Sequence, residues 1–212
     1  MGCCPPSRYR RVFGKRQARR DARSYRRKGL DETAQQLLDS LAERGVEDAT
    51  VLEVGGGVGA IEIELLKAGA REATVVELSD EYDEEAEALL AESRLEGLVA
   101  RRHGDFVELG ASIESADVVV MHRVVCCYPD PDALVGAAGQ HARRLLALSF
   151  PRETWWIRVG WYVVDLWFRA IYRFTSYIHP HAAIRAAAER QGLAPVHEAS
   201  GWLWHVAVFE RA

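Results

Sequence analysis

Hydrophobic positions along this chain recur with two periods. Short, mostly apolar runs bounded by turn residues occupy residues 50–54, 73–77, 117–121 and 145–150, with a weaker one at 98–102. Runs of this length, rich in Val and Leu, predict strands buried on both faces. Between them the apolar positions fall three and four apart. Ala34, Leu37, Leu38, Leu41 and Ala42 predict one helix, with Asp31 as its cap and Gly45 as its stop. Residues 60–67 predict a second, and Tyr82, Ala86, Leu89, Leu90 and Ser93 a third, with Ser79 or Asp80 at its start. A further helix runs over 134–143 behind the Asp130-Pro131 start signal, and another from His179-Pro180 to Gly192. Alternating strands and helices predict a parallel sheet covered on both faces. Residues 194–198 and 202–210, joined by Ser200-Gly201, predict a closing hairpin that adds one antiparallel strand.

Two stretches stand outside this alternation. Residues 1–13 are expected to be irregular, and 13–28 to form a basic helix with a thin apolar face of Phe13, Ala18, Ala22 and Tyr25. Residues 155–177 hold four of the six tryptophans. At helical spacing, Arg158, Asp165, Arg169 and Arg173 share one narrow stripe, opposite Trp156, Val163, Trp167, Ile171 and Phe174. Such a helix meets something apolar on most sides. Core or lid packing, a homodimer interface, a peripheral membrane contact and a membrane span are the four readings.

Composition narrows the class. A chain of 212 residues is long enough for one domain with a substantial core. Its 49% hydrophobic and 27% charged residues are those of a soluble globule. The net charge of −4 gives no global argument for a nucleic-acid partner, and none is expected. Charge is unevenly placed, however. Eleven Lys or Arg and one acid lie between Arg8 and Lys28, leaving 16 basic against 30 acidic residues elsewhere. Residues 1–30 are therefore expected to form a basic lid before a main domain at 31–212, with an aromatic insert at 152–178. RNA remains an alternative partner for the arginine run. The start carries no apolar leader, so the expected location is cytoplasmic. Met1-Gly2-Cys3-Cys4 suggests lipidation, but Pro6 stands where the acylation pattern needs Ser or Thr. Two adjacent cysteine pairs make no disulfide framework.

Candidate chemistry centres on residues 50–59, TVLEVGGGVG, followed by the helical run from Ala60. Strand, glycine turn and helix in that order bring backbone N–H groups and a helix N-terminus against a ligand. Gly55, Gly57 and Ala60 fit the loose dinucleotide pattern. Glu53, two residues before the first glycine, would repel a pyrophosphate and suit a ligand with a sulfonium or amino group. The segment from Glu53 through Gly55, Gly56 and Gly57 to Gly59 resembles the first motif of class I S-adenosylmethionine-dependent methyltransferases. Part of the chain also looks like the small methyltransferases grouped with magnesium-protoporphyrin O-methyltransferase. The resemblance implies a Rossmann-like α/β fold, a seven-stranded mostly parallel sheet with one antiparallel strand, and S-adenosylmethionine as cofactor. Glu77, ending the second strand, would accept both ribose hydroxyls, with Leu78 near the adenine. Asp105 would accept from the adenine amino group and Phe106 would pack on the ring. Tyr25 and Arg26 are candidates for holding an anionic substrate or the cofactor carboxylate.

Methyl transfer is an in-line displacement, so alignment and exclusion of water carry most of the work. His122, ending the fourth strand, is a candidate general base, or else only a contact to the cofactor. Arg123 and Tyr128 share its loop, Arg123 as a cofactor contact and Tyr128 as a catalytic or substrate-orienting group. Cys126 and Cys127, joined by Cys3 and Cys4, could serve a thiol or metalloid acceptor, but their spacing matches no metal motif and none is assigned. The expected activity is methylation of a small, hydrophobic or flat molecule. The alternatives are a non-catalytic cofactor-binding scaffold and methylation of a thiol, a metalloid or RNA.

Overall fold

The computed structural model describes residues 6–212, so Cys3 and Cys4 lie outside the described part. Three helices precede the sheet: α1 (Pro6–Val12), α2 (Lys15–Lys28) and α3 (Glu32–Glu43). Helix α1 corrects the expectation of irregular chain up to residue 13. Its Arg-rich sequence is a good helix former, and Phe13 behind it packs on Phe174, with ring centroids 5.6 Å apart. Asp31 caps α3 as expected, accepting from the backbone N–H groups of Thr33 and Ala34.

The alternating part then runs β1 (Thr50–Val54), α4 (Ala60–Lys67), β2 (Glu72–Glu77), α5 (Asp83–Ser93), β3 (Val99–His103), α6 (Phe106–Leu109), β4 (Ala116–His122), α7 (Pro131–His141) and β5 (Ala142–Pro151). Helices α8 (Trp155–Tyr172) and α9 (His181–Glu189) and strands β6 (Leu193–Ser200) and β7 (Trp204–Arg211) complete it. The seven strands lie in the order β3-β2-β1-β4-β5-β7-β6. The first five run parallel, and β7 runs antiparallel between β5 and β6. The closing hairpin was legible because residues 193–211 carry two strand patterns split by a glycine turn.

Side-chain alternation along the central strands feeds two cores. Val119 and Met121 of β4 with Leu146 and Leu148 of β5 meet α7 and α9 on one face. Val118 and Val120 with Leu145 and Ala147 meet α3 and α4 on the other. Central strands buried on both sides need this apolar pattern at every position. The C-terminal ends of β1, β2 and β4 converge on one rim, where ligands of open parallel sheets bind.

Helix α8 departs from its expected packing. The stripe bearing Asp165 faces the protein, where Asp165 accepts from the backbone N–H of Ser176 at 2.8 Å. Val163, Trp167 and Ile171 face outward and are exposed, while Phe174 is buried beyond the helix end. Core packing of the apolar side is therefore overturned. An acid with a backbone partner is cheaper to bury than one without, and among the described residues nothing covers the other side. Among the described residues, no helix is long and apolar enough to cross a membrane.

Candidate active site

The glycine turn leaves β1 in a conformation that needs glycine. Gly55 has φ +71°, and a Cβ there would sit 2.6 Å from a methyl carbon of Val124. Gly59 has φ +81° at the start of α4, and a Cβ there would collide with the Glu62 carboxylate. Positive φ together with close neighbours excludes other residues. Arg101 on β3 buttresses the turn from behind. It donates to the Gly57 carbonyl at 2.9 Å and to Asp83 at 3.1 Å, and it pairs with Glu62 at 3.5 Å.

A cavity of ≈ 400 Å³ opens above this turn. Its lining includes Glu53, Gly55, Gly56, Gly57, Glu77, Leu78, Asp105, Phe106, His122, Arg123, Tyr128 and Tyr25, while Gly59, which starts the helix behind the turn, and Arg26 lie outside it. Their chemistry differs in places from what the sequence suggested.

Glu53 lies at the floor, 2% exposed, and accepts from the backbone N–H of Glu62 at 3.0 Å. Burial, and next the neighbouring Glu62 carboxylate, push the Glu53 carboxyl well above the usual range, and burial raises Glu62 as well. Glu53 thus lines the cavity as a buried acid that also braces the turn. Glu77, at the end of β2, accepts from the backbone N–H of Gly57 at 3.0 Å and of Leu78 at 2.7 Å. Its Oε1 also accepts from the Tyr9 hydroxyl of α1 at 3.0 Å. Burial first, and then the Glu77 charge, raise the Tyr9 phenol, so it stays a donor. Nothing near Tyr9 in sequence signals this contact, which spans 68 positions.

Asp105 caps α6 through the backbone N–H of Val107 at 2.9 Å. It also accepts from the Tyr128 hydroxyl at 3.2 Å. Tyr128 is buried, and this contact commits its hydroxyl to Asp105. Phe106 is buried against His141, with ring centroids 5.2 Å apart. The Tyr25 hydroxyl donates to Glu64 on α4. Arg26 pairs with Glu92 on α5 at 2.8 Å and is absent from the cavity lining, so its expected role toward an anionic ligand is not met.

His122 ends β4 with its Nδ1 2.9 Å from Ser149 Oγ. Its Nε2 stands 3.6 Å from Asp31, the residue that caps α3. Arg123 turns at φ +60°, sets its guanidinium 3.1 Å from the same carboxylate, and lies 4.7 Å over the Trp204 ring. Burial lowers the His122 pKa against the opposing pull of Asp31. Burial works to raise Asp31, but the His122 hydrogen bond and the Arg123 charge outweigh it and hold the carboxyl below its usual range. A neutral imidazole therefore faces an ionised carboxylate. Sequence reasoning saw Asp31 only as a cap, and Ser149 and Arg101 only as strand residues. Cys127 also lines the cavity, with its sulfur 3.8 Å from that of Cys126.

Known proteins share this architecture. Magnesium protoporphyrin IX methyltransferase from Synechocystis PCC 6803, solved with bound SAH, is similar over 97% of this chain and 93% of that one, at 22% identity and TM-score 0.70. Geranyl diphosphate C-methyltransferase from Streptomyces coelicolor A3(2), solved with Mg2+, geranyl diphosphate and S-adenosyl-L-homocysteine, is similar over 84% of this chain and 76% of that one, at 13% identity and TM-score 0.64. These likenesses carry the fold. The sequence has no match among the curated proteins. The model of the methyltransferase domain matches residues 23–198, most of the chain, and the chain belongs to that family.

Proposed function

We propose that this protein binds S-adenosylmethionine in the cavity above the glycine turn and transfers its methyl group to a small, hydrophobic or flat molecule. The observation that carries the reading is the Glu77 carboxylate. Two backbone N–H groups orient it, and it already accepts from a hydroxyl within the cavity. A ribose hydroxyl makes the same bond, so Tyr9 stands where the ribose binds. Binding then requires α1 to give way, which makes the first thirty residues a lid. Gly55, Gly56, Gly57 and Gly59 let the cofactor approach the backbone, Leu78 and Phe106 flank the adenine, and Asp105 accepts from its amino group. Glu53 braces the turn from below, Tyr25 closes the lid side, and Arg123 reaches the cofactor from the β4 end.

The cofactor brings a sulfonium methyl group. This chain's residues align the acceptor, exclude water and take a proton. When bound, the cofactor would supply an electrophilic methyl group for the acceptor's lone pair and would leave as the neutral thioether. A protonated acceptor loses its proton to His122 Nε2. Ser149 Oγ has two lone pairs, enough to accept from the Arg123 backbone N–H and from His122 Nδ1. Nε2 faces the Asp31 carboxylate at 3.6 Å, and Asp31 stabilises the imidazolium that forms when His122 takes the proton. Tyr128 holds Asp105 in place and orients the acceptor from the same loop.

The apolar lining from Phe13, Leu30, Ile61, Val124 and Leu134 supports a hydrophobic acceptor. The two structural neighbours are named for a porphyrin and a prenyl diphosphate. Isothermal titration with S-adenosylhomocysteine, with NAD in parallel, tests the cofactor. Micromolar binding of the first and none of the second is expected; binding of NAD alone would overturn the reading. Acceptors are then screened among porphyrin acids, phenols, prenyl compounds and thiols.

A further inference from the structure

Helix α8 is mounted with its apolar side outward. Its protein-facing stripe is Ile157, Trp161, Asp165, Phe168 and Tyr172, all buried or half-buried. The exposed remainder includes Trp155 at 77%, Tyr162, Val163, Leu166 and Trp167. At about 100° per residue these exposed apolar positions cover a sector about 200° wide. The sole acid of the helix, Asp165, is turned inward, and Arg158 and Arg169 stand at one edge of the sector. At the N-terminal end, Trp202 from the β6–β7 turn, 76% exposed, adds its ring 5.6 Å from Trp156.

A second basic feature adjoins the other end. Phe13, between α1 and α2, packs on Phe174 just beyond α8. Helix α2 sorts its cations onto two faces. Lys15, Arg19 and Arg26 pair with Glu84, Glu85 and Glu92 of α5. Arg16, Arg20, Arg23 and Arg27 fall at i, i+4, i+7 and i+11, about 90° further round, and all four are exposed.

We propose that α8 docks this protein on the surface of an anionic lipid bilayer. The apolar ridge sinks into the headgroup–acyl boundary, and the arginines at its edge and on α2 meet lipid phosphates. Three features favour a bilayer over a second copy of the chain. The sector is too wide for one partner helix, which covers a stripe about 100° wide. Its tryptophans and Tyr162 are the residues that settle at a membrane–water boundary, apolar body inward and polar tip in the headgroups. And Arg158 and Arg169 at its edge place local positive charge where lipid phosphates would lie.

The test is co-sedimentation of the full chain with vesicles of phosphatidylcholine alone and of phosphatidylcholine with about one-third phosphatidylglycerol. The expected result is binding to the anionic vesicles, with a blue shift of tryptophan emission, weakened at least about tenfold by Leu166→Glu with Trp167→Glu. These positions are exposed, so the double variant keeps the parent's thermal melt. Arg16→Gln with Arg20→Gln and Arg23→Gln is expected to weaken binding to the anionic vesicles and not to the neutral ones. The proposal fails if the parent binds neither vesicle, if the Leu166/Trp167 variant binds like the parent, or if the parent sediments as a dimer that this variant dissociates while lipid binding is absent.

Discussion

Helices α4 and α8 treat their side chains in opposite ways. α4 has eight residues and buries Ile61, Glu62, Ile63, Leu65 and Leu66, including a carboxylate with 0% exposure. α8 has eighteen residues, is richer in large apolar groups, and buries only Ile157 and Asp165. Hydrophobicity does not decide the difference; position in the layers does. α4 follows β1 directly and lies between the sheet and the α2–α5 layer, so every side has a neighbour. α8 follows β5, leaves the sheet, and among the described residues has protein on one side. An apolar face with no neighbour in its own chain is a binding surface or a liability. A buried acid under a glycine turn makes sense only as part of a site.

The largest test of this contrast is at the start of α4. Gly59→Val forces a β-branched residue to φ +81° and into Glu62, and should cost about 3 kcal/mol of stability, read as a lowered thermal midpoint. A melt like that of the parent would mean that the turn is less constrained than its burial implies. Next in size, His122→Ala should slow methyl transfer about 100-fold while leaving S-adenosylhomocysteine affinity nearly intact. Loss of affinity with turnover kept would make His122 a cofactor contact. Glu77→Ala should weaken S-adenosylhomocysteine binding by about 1–3 kcal/mol in titration, because ribose hydroxyls and two N–H groups lose their acceptor. Unchanged affinity would remove the ribose assignment.

A smaller effect is expected with pH. The folded pKa of His122 lies below its ordinary value because of burial. Its base form therefore persists as the pH falls through about 6.5, and the acid limb of kcat should fall below that value. The same depression means that unfolded chains take up this proton first. The stability His122 contributes is present above about pH 6.5 and is lost as pH falls through the folded pKa. Urea midpoints measured against pH in the parent and in His122→Gln check this, since the variant should lose part of that slope. The smallest effect belongs to α8: Val163→Ser should change stability by no more than about 0.5 kcal/mol, in spite of removing an apolar side chain. A loss of several kcal/mol in a thermal melt would mean that something covers this face in solution.

Much of the frame was readable before any coordinates. Strands β1, β4 and β5 stand where apolar runs predicted them, because strands covered on both faces permit little else. The places of Glu77 and of Gly55 to Gly57 on the cavity could be read because the order strand, turn, helix sets them locally. The expected Arg26 contact was not met because a side chain's partner is often distant in sequence: Arg26 finds Glu92 across 66 positions.

What the sequence by itself determined is the order of elements, the antiparallel last strand, the glycine turn and the acids at the strand ends. Each of these follows from periodicity or backbone geometry within a dozen residues. Only the tertiary structure decided that Asp31 meets His122, that Tyr9 sits on Glu77, and that α8 turns its acid inward and its tryptophans out. Such contacts join residues far apart in the chain, or depend on which face of a helix has a neighbour. Packing of the whole settles both, and no local pattern records them.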